Sequence, residues 1–229
     1  MRQQLKKYLP ILLIISLSIF AWFFDLYRYF SFDTFKENQQ SLELFIESNT
    51  ALSIAAYCGI YILVVALSIP GATFMTLIGG FLLGQWIGSL AVVVSATLGA
   101  TILFLSAKMA STDLLSKKAG PWTKKMQKGF QENALSYLLT LRLIPIFPFV
   151  AINIAAAFFQ IPLRTFFFGT FFGIIPGSFV YISIGVALRE VIQKPDFTVD
   201  VILDPKILLA FTGLGILSLL PVVYKKMKK

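Results

Sequence analysis

The stretch LTLRLIPIFPFVAINIAAAFF, residues 139–159, decides the fold of this chain. It places Arg142, Pro145 and Pro148 inside an otherwise apolar run. A proline within a helix removes a backbone donor and clashes with the preceding turn, so the run is predicted to form two half-helices with a bend between them. An arginine at such a bend is unfavourable inside a membrane unless it faces protein, water or a polar ligand. Arg142 is therefore the first candidate site residue.

The composition predicts a polytopic membrane protein. Of the 229 residues, 57% are hydrophobic and 14% are charged, and the mean hydropathy is +0.81, which is too apolar for a soluble domain of this length. The net charge is +9, but the basic residues cluster at the ends of apolar runs, which indicates membrane topology and no nucleic-acid partner.

The chain lacks the residues that several kinds of site require. It has no histidine, and Cys58 is its single cysteine. An intrachain disulfide, a His/Cys metal site and a Ser-His triad are therefore excluded. We expect no cofactor and no metal, and an intramembrane enzyme is the least favoured class, because paired intramembrane carboxylates and a nucleophile elbow are also missing.

The N-terminal part predicts a first transmembrane helix. Residues 1–8 are basic and residues 9–24 are apolar, a pattern also typical of a cleaved signal peptide. The run ends in aromatic residues without a small-residue cleavage site, which favours an uncleaved span. Residues 25–50 are mostly acidic among their charges, so we predict an outer loop there.

The lysine-rich stretch 108–134 decides the topology of the next part. Because lysines favour the cytoplasmic side, this stretch is expected to lie inside, as the N-terminus does. Two full crossings, over 51–69 and 86–107, would place it outside. A re-entrant hairpin over 51–84, bent at Pro70 and Gly71 and followed by one span over 86–107, places it inside, and this interpretation is preferred.

The same rule predicts the second half. Residues 135–161 form a second hairpin that enters from the cytoplasmic side, residues 163–188 cross outward, and residues 206–224 return, so that the C-terminal lysines are cytoplasmic. The predicted fold is all-α, with four transmembrane helices and two opposed re-entrant hairpins. Three segments follow: an N-terminal anchor and outer loop (1–50), a core with both hairpins (51–190) and a C-terminal helix with a lysine-rich tail (191–229).

The two hairpins resemble a repeat. A shift of 75 residues aligns Pro70 with Pro145, Phe74 with Phe149 and Gln85 with Gln160. Because the hairpins enter from opposite sides, this is the inverted-repeat plan in which broken helices meet near the midplane and form a binding site.

Other patterns point to packing and to the membrane surface. Small residues at four-residue spacing let helix backbones approach closely, and glycines occur in this way at Gly80, Gly84, Gly88, Gly169, Gly173 and Gly177. Residues 111–133 mix apolar residues with lysines, which predicts an amphipathic surface helix that binds anionic lipid, or else a plain solvated loop.

The pattern R-x-x-P-x-x-P-F-x-x-x-N, formed by Arg142, Pro145, Pro148, Phe149 and Asn153, resembles the signature of the DedA/SNARE-associated Golgi superfamily, which is built on the VTT domain. The stretch IPGATFMTLIGGFLLGQWIG, residues 69–88, is similar to its Pro-Gly region. The resemblance covers roughly residues 50–190. Within the superfamily, the sequence resembles the Tvp-like branch. It implies an integral membrane protein that moves phospholipids or lipid-linked carriers between leaflets.

Three residues are candidates for contact with such a substrate. Arg142 either neutralises a lipid phosphate or binds the carbonyl groups freed by the helix break, and Asn153 either helps it or bridges the broken backbone. Lys108 lies at a span end where the superfamily often has a basic residue, so it is a candidate for an interfacial phosphate contact, or a topology lysine. Many bacterial members carry an acidic residue near the first Pro-Gly bend. This chain has ALSIPGAT there, which argues against proton coupling through a carboxylate.

The leading hypothesis is therefore a translocator or scramblase of phospholipid or lipid-linked phosphate, with Arg142 at the phosphate and membrane lipids as partners. The alternatives are a transporter or channel for a small anion and a non-transporting membrane scaffold. The short loops suit a bacterial cytoplasmic membrane with both termini inside.

Overall fold

The computed structural model describes residues 2–25, 28, 32–111, 121–143 and 147–192, whose regular structure is entirely helical. The helices are α1 (Arg2–Phe23), α2 (Phe32–Ser48), α3 (Thr50–Ala66), α4 (Ala72–Ser111), α5 (Pro121–Leu143), α6 (Phe149–Phe158) and α7 (Leu163–Ile192). Within these residues, Ala72–Ala110 and Leu163–Arg189 are long and apolar enough to cross a membrane. The predicted bend residue Pro145 and the predicted span 206–224 lie outside the described residues.

Helix α3 and the first part of α4 form a helical hairpin. The hydroxyl of Tyr57 donates to the carbonyl oxygen of Met75 at 2.7 Å, and that of Tyr61 donates to the carbonyl oxygen of Ala72 at 3.3 Å. The later residue on α3 thus pairs with the earlier residue on α4, so the two helices run in opposite directions. The connection between them contains Pro70, and Gly71 has φ 136°, a conformation that favours glycine.

Helix α4 is not straight, because the chain reverses again at Gly84. This residue has φ 75° and ψ −176°, a region that only glycine enters readily. A Cβ atom on Gly88 would lie 2.7 Å from the carbonyl oxygen of Gly79, whereas residues nine apart in a straight helix are separated by about 13.5 Å. Residues 72–83 therefore return along α3, and residues 85–111 form a separate segment, called the crossing segment below because it is long enough to cross a membrane by itself.

A second break separates α5 from α6. Helix α5 ends at Leu143 and α6 begins at Phe149 with Pro148 at its N-cap, where the fixed φ and missing N–H of proline are tolerated. Side chains on the two sides of the break touch, since Arg142 reaches Asn153 at 2.6 Å. The chain therefore folds back here as well, before α7 begins.

The crossing segment 85–111 packs antiparallel against α7. Near one end Phe104 stacks on Phe166 with ring centroids 4.1 Å apart. Towards the other end Gln85 donates to the carbonyl oxygen of Phe179 at 3.2 Å and accepts from Ser183 at 3.0 Å. This antiparallel pair is the frame that holds both hairpins.

Glutamines tie the two ends of the frame in matching ways. The side chain of Gln160 donates to the carbonyl oxygen of Lys108 at 3.2 Å, while Gln85 bonds Ser183. The shift of 75 residues that relates the hairpins carries Gln85 to Gln160 and Lys108 to Ser183. The two contacts therefore join equivalent positions of the predicted repeat, although Gln85 accepts from the Ser183 hydroxyl group and Gln160 donates to the Lys108 backbone.

Two segments differ from a plain loop. The predicted outer loop 25–50 contains helix α2, whose buried Phe35 meets Phe81 edge-to-face at 4.9 Å. Its many charged residues suggested a loop, whereas the segment forms a helix with a buried apolar side chain against α4. Of the linker 111–133, residues 121–133 belong to α5, which changes direction at Asn133, with φ −158° and ψ 84°.

Candidate functional site

A cavity of about 240 Å³ lies where the two bends meet. Its lining includes Thr73 and Thr76, which follow the first bend, and Phe147 and Phe149, which flank the second. Arg142, in the last turn of α5, also lines it. Ala96 and Ile174, which also line it, stand near the middle of residues 85–111 and of α7. The cavity is therefore about halfway along both crossing helices.

Arg142 reaches into this region from the last turn of α5. Its Nη2 atom donates to Asn153 Oδ1 at 2.6 Å and to Thr170 Oγ1 at 2.9 Å. The guanidinium carbon lies 4.2 Å from the ring centroid of Phe149 and 5.6 Å from that of Phe166. These cation–π contacts and two hydrogen bonds hold the cation in one place.

Several buried donors of this cluster have no acceptor among the residues that the structure describes. Arg142 Nε, Arg142 Nη1 and Asn153 Nδ2 are buried and make no hydrogen bond to the described part of the chain. A guanidinium has five N–H donors, and two of them are used at Nη2. Leaving a buried donor unpaired costs about 1–3 kcal/mol. The arrangement therefore suits oxygen acceptors, such as those of a phosphate or of freed backbone carbonyl groups.

Hydroxyl groups provide the other polar part of the site. Tyr61 and Thr76 hydrogen bond to each other at 2.9 Å, and Thr73 and Ser178 also line the cavity. Tyr61 and Thr76 belong to the α3–α4 hairpin, whereas Ser178 lies on α7. The cavity wall thus combines elements from both halves of the core.

The structure unites two of the three predicted contact residues. Arg142 and Asn153 touch directly, although Asn153 is wholly buried and the arginine partner Thr170 was not predicted. Thr170 is a hydroxyl residue within a phenylalanine-rich run of α7 and lies three residues before Gly173. This pattern is the feature of the sequence that could have identified it as a partner of Arg142.

Lys108 is not part of this cluster. Its Nζ atom donates to the carbonyl oxygens of Ile161 at 2.5 Å and Gln160 at 3.4 Å, and it lies 5.4 Å from the ring centroid of Phe104. Those carbonyl groups belong to the connection between α6 and α7. In this structure Lys108 therefore fastens the end of the frame.

The six glycines of the two ladders have different surroundings. A Cβ on Gly80 would overlap the backbone of Ile182, and one on Gly173 would lie 2.8 Å from the Cβ of Arg142. Gly88 and Gly169 are similarly crowded. Gly84 and Gly177 differ from the expected packing role, because a Cβ at either would meet nothing within 4 Å. Gly84 serves the chain reversal instead.

The described residues contain no group of three or more His, Cys, Asp or Glu side chains that could hold a metal ion. The site that they do form consists of one cation, amide and hydroxyl groups, and aromatic rings. Such a set can bind and orient an anion.

The sequence resembles a known domain and several known proteins. Residues 69–187 match the VTT domain. The chain is 31% identical over 191 residues to a transmembrane protein 41 homolog of Dictyostelium discoideum, covering 82% of this chain and 56% of that protein. It is 29% identical to the Caenorhabditis elegans homolog, covering 85% of this chain and 78% of the relative.

A human relative, transmembrane protein 41B, is 28% identical and is matched over 77% of this chain and 60% of its own length. The chain thus spans little more than half of the Dictyostelium relative. No solved structure matches it. The domain match contains both bends and the residues around Arg142, and the relatives are named transmembrane proteins. The chain therefore belongs to the VTT domain family of DedA/SNARE-associated Golgi proteins and is an integral membrane protein.

Proposed function

We propose that this protein moves phospholipid or lipid-linked phosphate between the two leaflets, and that it does so as a translocator or scramblase without enzymatic activity. The observation that carries the proposal is the buried guanidinium of Arg142, with unpaired N–H donors, in a cavity halfway along the crossing helices. A phosphate that enters there finds both a counter-charge and hydrogen-bond donors.

The proposed mechanism concerns the head group alone. Moving a charged group into hydrocarbon costs several kcal/mol even after relaxation, which makes unaided lipid exchange slow. Arg142 offsets this cost through charge-assisted hydrogen bonds to the phosphate, while the acyl chains stay in the surrounding bilayer. Asn153 and Thr170 position the guanidinium by accepting hydrogen bonds from its Nη2 atom. The Nε and Nη1 donors are then left for the phosphate.

In the proposed arrangement the two hairpins are re-entrant and enter the membrane from opposite sides. Broken helices of this kind form substrate sites near the midplane in transporters with inverted repeats. The matching glutamine contacts at the ends of the frame support this plan. Both termini are proposed to be cytoplasmic. A bacterial cytoplasmic membrane stays a prediction, and the relatives named above are eukaryotic.

The proposal is tested in proteoliposomes with acyl-labelled phospholipid. Arg142→Ala should lower the rate of lipid translocation about tenfold or more. A barrier that is higher by about 1.4 kcal/mol already slows a step tenfold. Arg142→Lys should retain part of the rate, because it keeps the charge and loses the planar fork. Arg164→Ala is the matched control, since Arg164 is exposed at the start of α7.

Equal rates in the wild type and all three variants, at equal folded amounts, would contradict the role of Arg142. Absence of lipid movement in the wild type would refute translocation itself.

A second candidate is passage of a small inorganic anion. It is favoured by the size of the cavity, about 240 Å³, which can hold a whole inorganic anion but only the head group of a lipid. Uptake of chloride or inorganic phosphate that depends on Arg142, without lipid movement, would select it. A non-transporting scaffold would move neither lipid nor anion. Its binding of anionic lipid or of partner proteins would depend on the linker lysines.

A further inference from the structure

We infer that the cavity selects lipids whose head group carries one negative charge on a phosphate diester and otherwise only hydroxyl groups, over zwitterionic lipids with an ammonium group. This inference rests on the proposed function and specifies its substrate class. It follows from the charges, rings and hydroxyl groups that line the cavity.

The first argument is the charge of the site. Residues 51–112 and 133–189 contain no aspartate or glutamate, so the hairpins and crossing segments provide no anion. Asp113 and Glu132 are the acidic residues between these stretches, and both belong to the lysine-rich linker. The described lining contains Arg142 as a cation and no acidic side chain.

Charge balance then separates the two lipid classes. A phosphate diester of charge −1 together with Arg142 makes a neutral pair. A zwitterionic head group adds an ammonium that has no counter-charge in the cavity. Because an unpaired buried ion loses its hydration without compensation, this lipid faces a higher barrier.

Aromatic rings offer limited compensation for the ammonium. A quaternary ammonium is held by the faces of several aromatic rings. The face of Phe149 is already covered by the Arg142 guanidinium at 4.2 Å. The Tyr61 hydroxyl is bound to Thr76 and to the Ala72 carbonyl oxygen, which holds its ring against the first hairpin. Phe147 and Tyr181 also line the cavity, but the face of a ring carries only a partial charge, so these rings do not replace the carboxylate that would neutralise an ammonium.

The hydroxyl groups of the cavity favour a polyol head group. Thr73 and Ser178 line the wall, and each hydroxyl group is both a donor and an acceptor, whereas the Thr76 hydroxyl already donates to the Ala72 carbonyl oxygen. A glycerol-like head group has the same dual character, so its hydroxyl groups can exchange water for these side chains. This exchange keeps buried polar groups paired.

The test compares acyl-labelled phosphatidylglycerol with phosphatidylcholine that carries the same label, each as a trace in vesicles of one fixed bulk composition. We expect the wild type to move phosphatidylglycerol about tenfold faster, or more, than phosphatidylcholine. A difference of about 1.4 kcal/mol between the two barriers produces a factor of ten. Equal rates, or faster phosphatidylcholine, would overturn the inference. If both rates still fall in Arg142→Ala, the proposed function stands. If neither lipid moves in the wild type, the proposed function fails.

A second variant changes the preference by adding the missing anion. Ser178→Asp places a carboxylate in the wall, where it provides a counter-charge for an ammonium and repels a second anion. We expect the ratio of the phosphatidylglycerol rate to the phosphatidylcholine rate to fall about tenfold. Ser178→Asn has nearly the shape of the aspartate variant but no charge, and its amide still donates and accepts, so its ratio should fall much less than that of Ser178→Asp. An unchanged ratio in a folded Ser178→Asp protein would overturn the inference.

Discussion

At Gly173 the backbone of α7 comes into contact with the side chain of Arg142. A Cβ atom there would lie 2.8 Å from the Arg142 Cβ and 3.1 Å from its Cγ. These atoms are close to the α5 backbone, so they cannot move aside as the end of a flexible chain would. The glycine therefore determines how closely α5 approaches α7, and with it the reach of the guanidinium to Thr170.

Gly173→Ala should destabilise the protein by about 1–3 kcal/mol, the usual effect of overpacking, and should lower the translocation rate by displacing Arg142. Gly177→Ala is the matched control one turn later, since a Cβ there would meet nothing within 4 Å. Alanine also favours a helix over glycine by about 1 kcal/mol, so this variant should be neutral or slightly stabilising. Thermal unfolding in detergent measures both. Equal destabilisation by the two changes would show that the close approach at Gly173 is unimportant.

At the scale of helices, the frame is tied at each end by a glutamine. Gln85 joins the start of the crossing segment to Phe179 and Ser183 on α7. Gln160 joins the connection before α7 to the carbonyl oxygen of Lys108. Both contacts are polar and lie in exposed or partly buried positions, so each can open without disturbing the apolar middle of the frame.

Gln85→Leu and Gln160→Leu should each loosen one end of the frame. A typical net hydrogen bond contributes about 0.5–1.5 kcal/mol, so local amide exchange should rise roughly threefold to tenfold. The increase is expected around residues 179–183 in Gln85→Leu and around residues 106–111 in Gln160→Leu. Gln39→Leu on α2 serves as the control. Faster exchange at both ends in each variant would mean that the ends do not open separately.

At the scale of the whole molecule, large apolar side chains cover the outside of the helices. Trp86 is 78% exposed, Phe172 57% and Leu90 64%. Contiguous exposed apolar surface marks contact with a membrane or another protein, and the relatives are named transmembrane proteins. Lipid is therefore the environment of these side chains.

The predicted topology places α2 and the lysine-rich linker on opposite sides of the membrane. Replacing Cys58 with alanine gives a cysteine-free background, because it is the only cysteine. In that background, Asn38→Cys should react with an impermeant maleimide in intact cells, and Ser116→Cys should react only after permeabilisation. The positive-inside rule gives this direction. Labelling of both positions from one side would contradict the re-entrant first hairpin.

Local sequence signals were sufficient for the bend between α3 and α4 and for the break before α6, but not for the reversal at Gly84, which was expected to be a packing position. Pro70, Gly71 and Pro148 mark breaks because their effects on φ and on hydrogen bonding act within one helical turn. Arg142 was found in the same way, since a lone cation in an apolar run needs a partner whatever the fold. The helical, membrane-embedded character and the family follow from composition and from these short patterns.

Only the tertiary structure decided which residues meet. The partner Thr170 lies 28 positions after Arg142, and no local pattern encodes that distance. Likewise, Gln85 meets Ser183 while Lys108 bonds the α6–α7 connection away from the cluster. Periodicity and proline act through the backbone of one segment, whereas these contacts depend on how α4 and α7 pack side by side. The sequence by itself therefore determined the bends and the cation, and the packing of the helices decided the cavity around them.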